Sequence, residues 1–206
     1  MTVTGISASA DRRGRHRVEL SDGTVLKLPS SVIADLSLFT GRELDESELR
    51  QVHEAERKAD ARQRAVNIIS ATTVSGRELN DRLRRKGASE EEAAEAVQWL
   101  QELNLVDDAK TARQIVERGV RRGYGERRIR QMLYEKKIPR ALWDEALAVV
   151  PPPEGPIDDY LRANLSGAPD RKECKRVSDA LLRRGFGWSD VRSGLSRYSA
   201  EALEEE

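Results

Sequence analysis

Little in this chain offers chemistry of its own. Cys174 is the only cysteine, so no intramolecular disulfide framework is available, and without a Cys-x-x-Cys partner it signals neither a zinc site nor a redox pair. The two histidines, His16 and His53, stand apart from any nucleophile or ligand pattern. There is no Gly-x-x-x-x-Gly-Lys-Ser/Thr loop, and Gly123-Tyr124-Gly125 is too short to cradle a phosphate. Aromatic residues are only 4% of the chain, which disfavours one large core. No stretch approaches the roughly 18–20 apolar residues of a membrane span. The N-terminus lacks a basic-then-apolar secretory pattern. These absences lead us to expect a soluble, cytoplasmic protein that is not an enzyme and uses no cofactor or metal; a monomer is the working expectation, although nothing in the sequence fixes the oligomeric state.

Charge is what the chain has in plenty. Asp, Glu, Lys and Arg make up 35% of the 206 residues, with 36 acids balanced by 36 bases. That composition suits either disorder or small helical modules, and the regular spacing of the apolar residues favours the modules. The balance also hides segregation. Between Arg118 and Arg140 nine basic residues face two acids, while acids gather at Asp45–Glu48, Glu90–Glu95 and Glu204–Glu206.

The first 30 residues read as β-structure. Thr2–Ser9 and Arg15–Leu20 are extended candidates, and the Asp22-Gly23 turn leads into Thr24–Leu28. Pro29 ends the strand, and Ser30 or Ser31 is expected to cap a short helix through Leu36. A helix then opens at Asp45, with Glu48 in the capping-box position and a stripe of Leu49, Val52, Ala55, Ala59, Val66 and Ile69.

From there the chain repeats at roughly 50-residue spacing, and stacked repeats of this kind bury their apolar faces against themselves and their neighbours. The second helix of each repeat carries a matched pair: Leu79 and Leu83, Ile129 and Leu133, Val177 and Leu181. The third helices match through Ala93, Ala96 and Val97, then Trp143, Ala146 and Leu147, then Val191, Gly194 and Leu195. Ser75 with Glu78, Ser89 with Glu92 and Asp170 with Glu173 have capping-box spacing, and Asp107 or Asp108 caps the helix opening repeat two. Pro151–Pro156 reads as a stiff spacer, with repeat three beginning at Ile157. The expected fold is therefore mainly α: three tandem three-helix, helix-turn-helix-like repeats behind a small β-hairpin module. The divisions are 1–45 for that module and linker, 46–106 for a bridging helix and repeat one, 107–150 for repeat two, and 151–206 for the spacer and repeat three.

Basic residues recur at corresponding places in all three repeats. They are Arg82, Arg84, Arg85 and Lys86; then Arg121, Arg122, Arg127, Arg128, Arg130, Lys136 and Lys137; then Arg183 and Arg184. Tyr124 adds a ring suited to stacking. A solvated helix face with local ion pairs explains any one of them, but recurrence favours a shared surface for a polyanion, either DNA or an acidic protein. An autonomous helix-turn-helix DNA-binding protein competes with this reading, and so does a structural helical-repeat adaptor. Against sequence-specific readout, the presumptive recognition helix of repeat one opens Glu90-Glu91-Glu92, which repels phosphate.

At Arg82-Leu83-Arg84-Arg85-Lys86-Gly87, Leu103-Asn104-Leu105-Val106-Asp107-Asp108 and Arg122-Gly123-Tyr124-Gly125-Glu126-Arg127-Arg128-Ile129-Arg130 the chain resembles the RecX family of bacterial recombination regulators. The resemblance covers about residues 60–150, and the third repeat more loosely. It implies that the three repeats form an elongated, curved array, and that this array binds RecA recombinase filaments on DNA, within their helical groove. It further implies inhibition of RecA ATP hydrolysis, strand exchange and the coprotease activity of the SOS response. Pro151–Pro156 and Ser166-Gly167-Ala168-Pro169 depart from the family pattern and are expected to alter the entry and first turn of repeat three.

Overall fold

A computed structural model describes residues 1–8, 14–167 and 169–204. Ser9, Ala168, Glu205 and Glu206, which figured in the expectations above, lie outside the described residues. The described chain is mostly helical, with one three-stranded antiparallel sheet near its start. It divides into two compact units, residues 1–73 with 79–106, and residues 74–78 with 107–206.

In the first unit β1 (Val3–Ala8), β2 (Arg15–Leu20) and β3 (Val25–Pro29) pair in that order. The sheet is a three-stranded meander: β1 returns along β2 with Ile6 opposite Val18, and the β2–β3 hairpin forms at the expected turn. Alternation does the rest: Val18, Leu20, Leu26 and Leu28 turn to one face and are buried, while Glu19 and Lys27 are exposed. Gly23 takes the positive φ of 87° that the β2–β3 turn requires. Short α1 (Ser30–Asp35) follows. Neither serine caps it by side chain. Its N-cap is Pro29, which has no side-chain acceptor, and Ser30 Oγ lies 3.3 Å from His16 Nδ1.

Helix α2 (Glu46–Ala71) is unbroken, and Asp45 and Glu48 form the full capping box. Its buried residues are Val52, Ala61, Ala65 and Ile68, so the expected stripe holds at Val52 but fails beyond it. The cause is that α2 serves two partners. Val52 joins the core under the sheet, whereas Ala61 comes nine positions later, about half a turn around the helix at about 100° per residue. The second half packs with α4 (Glu90–Glu102), where Arg57 pairs with Glu92 (3.0 Å) and Arg62 with Glu95 (2.8 Å). Between them lies α3 (Gly76–Arg85), whose Leu79 and Leu83 are fully buried. Gly87 at φ 90° ends the run beyond α3, and Ser89 with Glu92 boxes the start of α4.

The second unit holds the first turn of α3 and six further helices, α5 (Asp108–Arg121), α6 (Glu126–Glu135), α7 (Trp143–Leu147), α8 (Glu154–Asn164), α9 (Arg171–Arg183) and α10 (Trp188–Glu204). A 3-10 turn, Arg140–Leu142, leads into α7. Asp107 caps α5 through the Lys110 N–H (2.8 Å), and Asp108 accepts from the Gly76 N–H (2.8 Å). Ser75 Oγ accepts from the Glu78 N–H (3.1 Å). One core gathers Ala112, Val116, Ile129, Leu133, Trp143 and Ala146. Another gathers Ile157, Leu161, Val177, Leu181, Phe186 and Val191. The proline run is less of a barrier than its composition suggests. Helix α8 opens at Glu154, ahead of Ile157, and takes Pro156 into its first turn, where no intrahelical N–H is needed.

Candidate functional site

Helix α6 is fixed by one face. Ile129 and Leu133 are fully buried, and Ile129 closes on α5 so tightly that a Cβ on Gly119 would stand 2.6 Å from its Cγ1. The opposite side is therefore committed to solvent. Arg127, Arg128, Arg130 and Tyr134 are all exposed there.

Exposure does not make these cations equal. Arg130 Nε pairs with Glu126 at 2.6 Å, and Arg128 reaches Glu135 at 3.9 Å. Arg121 stands 4.0 Å from Glu117. Lys136 is half-buried and meets Glu78 at 3.4 Å, while Lys137 takes a positive φ of 54° where the chain leaves α6. The Arg122 and Arg127 side chains have no ion-pair partner among the described residues. Tyr124, the ring singled out by sequence, is half-buried against the core around Ile129.

The third-repeat pair divides sharply. Arg183 is exposed. Arg184 is spent inside the molecule: its Nη1 donates to the Arg122 carbonyl at 2.9 Å, and its guanidinium lies 4.9 Å from the centre of the Tyr160 ring. Beside it the Gly125 N–H donates to the Arg184 carbonyl (2.9 Å). Two glycines make that approach possible. A Cβ on Gly125 would meet the Gly185 carbonyl oxygen at 2.6 Å, and one on Gly185, at φ 92°, would meet Arg128 Cβ at 2.6 Å. The ends of α5, α6 and α9 thus form one junction, which brings Arg122 against Arg184 and Arg128 against Gly185 although some 60 residues separate the groups in sequence.

In the first unit the corresponding positions are quieter. Arg84 reaches Glu90 at 3.6 Å, Arg85 Nε donates to the Asp81 carbonyl at 3.3 Å, and Arg82 is half-buried. The Lys86 side chain is exposed, and its carbonyl accepts from Arg64 (2.8 Å). The ionisable groups with displaced pKa values lie elsewhere. Glu54 holds the Lys58 ammonium above its ordinary range, with Glu95 assisting.

Two features escaped the sequence reading. A cleft of about 630 Å³ opens beside α6, walled by Pro151–Pro153, Pro156, Leu147 and Phe186, with Arg127, Arg130, Asp144 and Asp190 at its polar edge. Tyr134, 63% exposed, lies on the same side of α6 as Arg127. A spacing of seven residues from Arg127, out of step with Ile129 and Leu133, was the signal available for it. Among the described residues no group of three His, Cys, Asp or Glu side chains is placed to hold a metal, and no helix is long and apolar enough to cross a membrane.

Comparison with known proteins places this geometry. Residues 107–147 match the family described as "RecX, second three-helix domain". The chain is 30% identical over 192 residues to a regulatory protein RecX of Levilactobacillus brevis, covering 90% of this chain and 72% of that one. It is 31% identical over 140 residues to the namesake of Chlorobaculum tepidum, covering 66% and 86%. In fold it is similar to a crystal structure of a regulatory protein RecX at a TM-score of 0.72 and 24% identity, covering 95% of this chain and 98% of that one.

Proposed function

Since the chain belongs to the RecX family of regulatory proteins, we propose that it regulates homologous recombination and DNA repair by binding RecA filaments assembled on DNA. Bound there, it lowers RecA ATP hydrolysis, strand exchange and coprotease activity. It acts without catalysis of its own, in the cytoplasm where those filaments form. Residues 46–106 carry a bridging helix and the first repeat, 107–150 the second, and 151–206 the proline-rich spacer and the third, with 1–45 as the β-module and linker.

The observation that carries this reading is the exposed side of α6, inside the matched segment 107–147, where Arg127 and its neighbours face solvent. A filament loaded with DNA is a polyanion, and cations not consumed by ion pairs are those able to release its counterions. The test is the ATPase rate of RecA on single-stranded DNA with and without this protein. A falling rate with rising protein concentration is expected, and an unchanged rate at saturating protein removes the proposal.

Autonomous duplex recognition by repeat one is a weaker reading. Helix α4 presents Glu90, Glu91 and Glu92 in its first turn, where a recognition helix meets phosphates.

A further inference from the structure

We infer that Tyr134 is a base-stacking residue and that, with Arg127 and Arg130, it makes the exposed side of α6 a contact for single-stranded DNA in preference to duplex. This is an interaction of the protein with nucleic acid directly, and it deepens the regulatory reading without needing RecA to be present.

Three observations carry it. The first is exposure without a packing role: Tyr134 is 63% exposed, while the pair that anchors its helix, Ile129 and Leu133, is fully buried. At about 100° per residue Tyr134 comes within about 20° of Arg127 around the helix and about 10 Å along it. The second is the neighbourhood. Arg127 has no ion-pair partner among the described residues, and Arg130, one turn from Tyr134, adds a second cation although Glu126 holds it. From Glu126 to Lys137 there are five cations and two carboxylates, an excess of positive charge along the helix that stands beside Asp144 and Asp190 at the cleft edge and Glu78 on Lys136.

The third is the contrast between repeats. Aligning Leu83, Leu133 and Leu181 places Arg84 and Leu182 at the position of Tyr134. The three-helix fold does not ask for an aromatic there, yet repeat two exposes one.

An exposed ring flanked by cations suits a strand whose bases are unstacked. The base lies on the ring while its phosphates meet the guanidinium groups. In a duplex the bases are already stacked on each other, and the ring finds only backbone.

The test is fluorescence anisotropy of the full chain with a labelled oligothymidylate and with a labelled duplex of equal length, at matched moderate salt, without recombinase. Y134A is expected to weaken single-strand binding at least about fivefold, with duplex binding and salt slope unchanged, because the ring carries no charge. Y134F, which keeps the ring, stays with the parent. R127Q lowers the single-strand salt slope by about 0.7. The inference is overturned if Y134A binds the single strand as the parent does, if it loses both probes equally, or if the parent binds neither. The last outcome, together with intact inhibition of RecA ATPase, removes the stacking role and leaves the regulatory reading standing. Single-strand binding that depends on Tyr134 but comes with no effect on RecA does the reverse.

Discussion

Two arginines of similar sequence context do opposite work. Arg184 and Arg127 both sit in basic runs at helix ends, yet Arg184 donates to the Arg122 carbonyl and covers Tyr160, while Arg127 faces solvent. A charged hydrogen bond contributes about 1.5–3 kcal/mol, and a cation over a ring about 0.5–2 kcal/mol. Arg184→Ala is therefore expected to cost about 2–3 kcal/mol, read as a lower thermal midpoint. Arg127→Gln is expected to leave the midpoint in place and to weaken filament binding with a shallower salt dependence. Equal midpoints for the two variants would show that the Arg184 contacts carry no weight. Sequence could group these residues by charge, but not by partner, because the carbonyls that take up Arg184 lie some 60 residues away in a turn. The sequence singles out Tyr124 and passes over Tyr134 for the same reason. A ring beside two glycines reads as loop, and only packing against Ile129 shows Tyr124 to be half-buried.

At the scale of elements the local signals were the readable ones. Capping boxes at Asp45, Ser89 and Asp170 and the Gly87 stop are short-range chemistry, and each stands in the structure. Two other signals misled. Pro156 enters α8 because first-turn N–H groups go unused, and α2 changes its buried side because two cores claim it. The box at the start of α2 also has a pH signature. The Asp45 N–H first, then the Arg42 guanidinium, hold the Glu48 carboxyl below the ordinary glutamate range. A carboxyl whose folded value is depressed stabilises the fold in full above its unfolded pKa, about 4.3, and loses that contribution as pH falls through the folded value. Glu48→Gln is expected to lower stability at neutral pH and to flatten the loss below about pH 4.3. Urea midpoints between pH 7 and pH 3 check this, and parallel pH curves for parent and variant would contradict it.

For the molecule as a whole, a net charge of zero conceals how its surface is divided. Thirty-six acids cancel thirty-six bases in total, but α2 pairs its bases with acids of α4 while α6 leaves Arg127 unpaired among the described residues. The helical architecture and the family were legible because apolar spacing and turn chemistry repeat along the chain. The division of labour among the cations was not, since each depends on which carboxylate or carbonyl folding brings beside it.

Helix α2 also sets a rule for how this protein can change length. Val52 and Ala61 are held half a turn apart around one rod, so the sheet and the first repeat are indexed to each other by the number of residues between them. One residue inserted after Glu56 advances the far half by about 100° and drives Ala61, Ala65 and Ile68 out of register with α4, whereas four inserted residues bring it round to within about 40°. Thermal unfolding is expected to rank the parent above the four-residue insertion and that above the single one, although the single insertion alters the chain least. Any drift in length between the sheet and the first repeat is thus tolerated in whole turns, and a sheet grafted from a relative must arrive with the same helical phase.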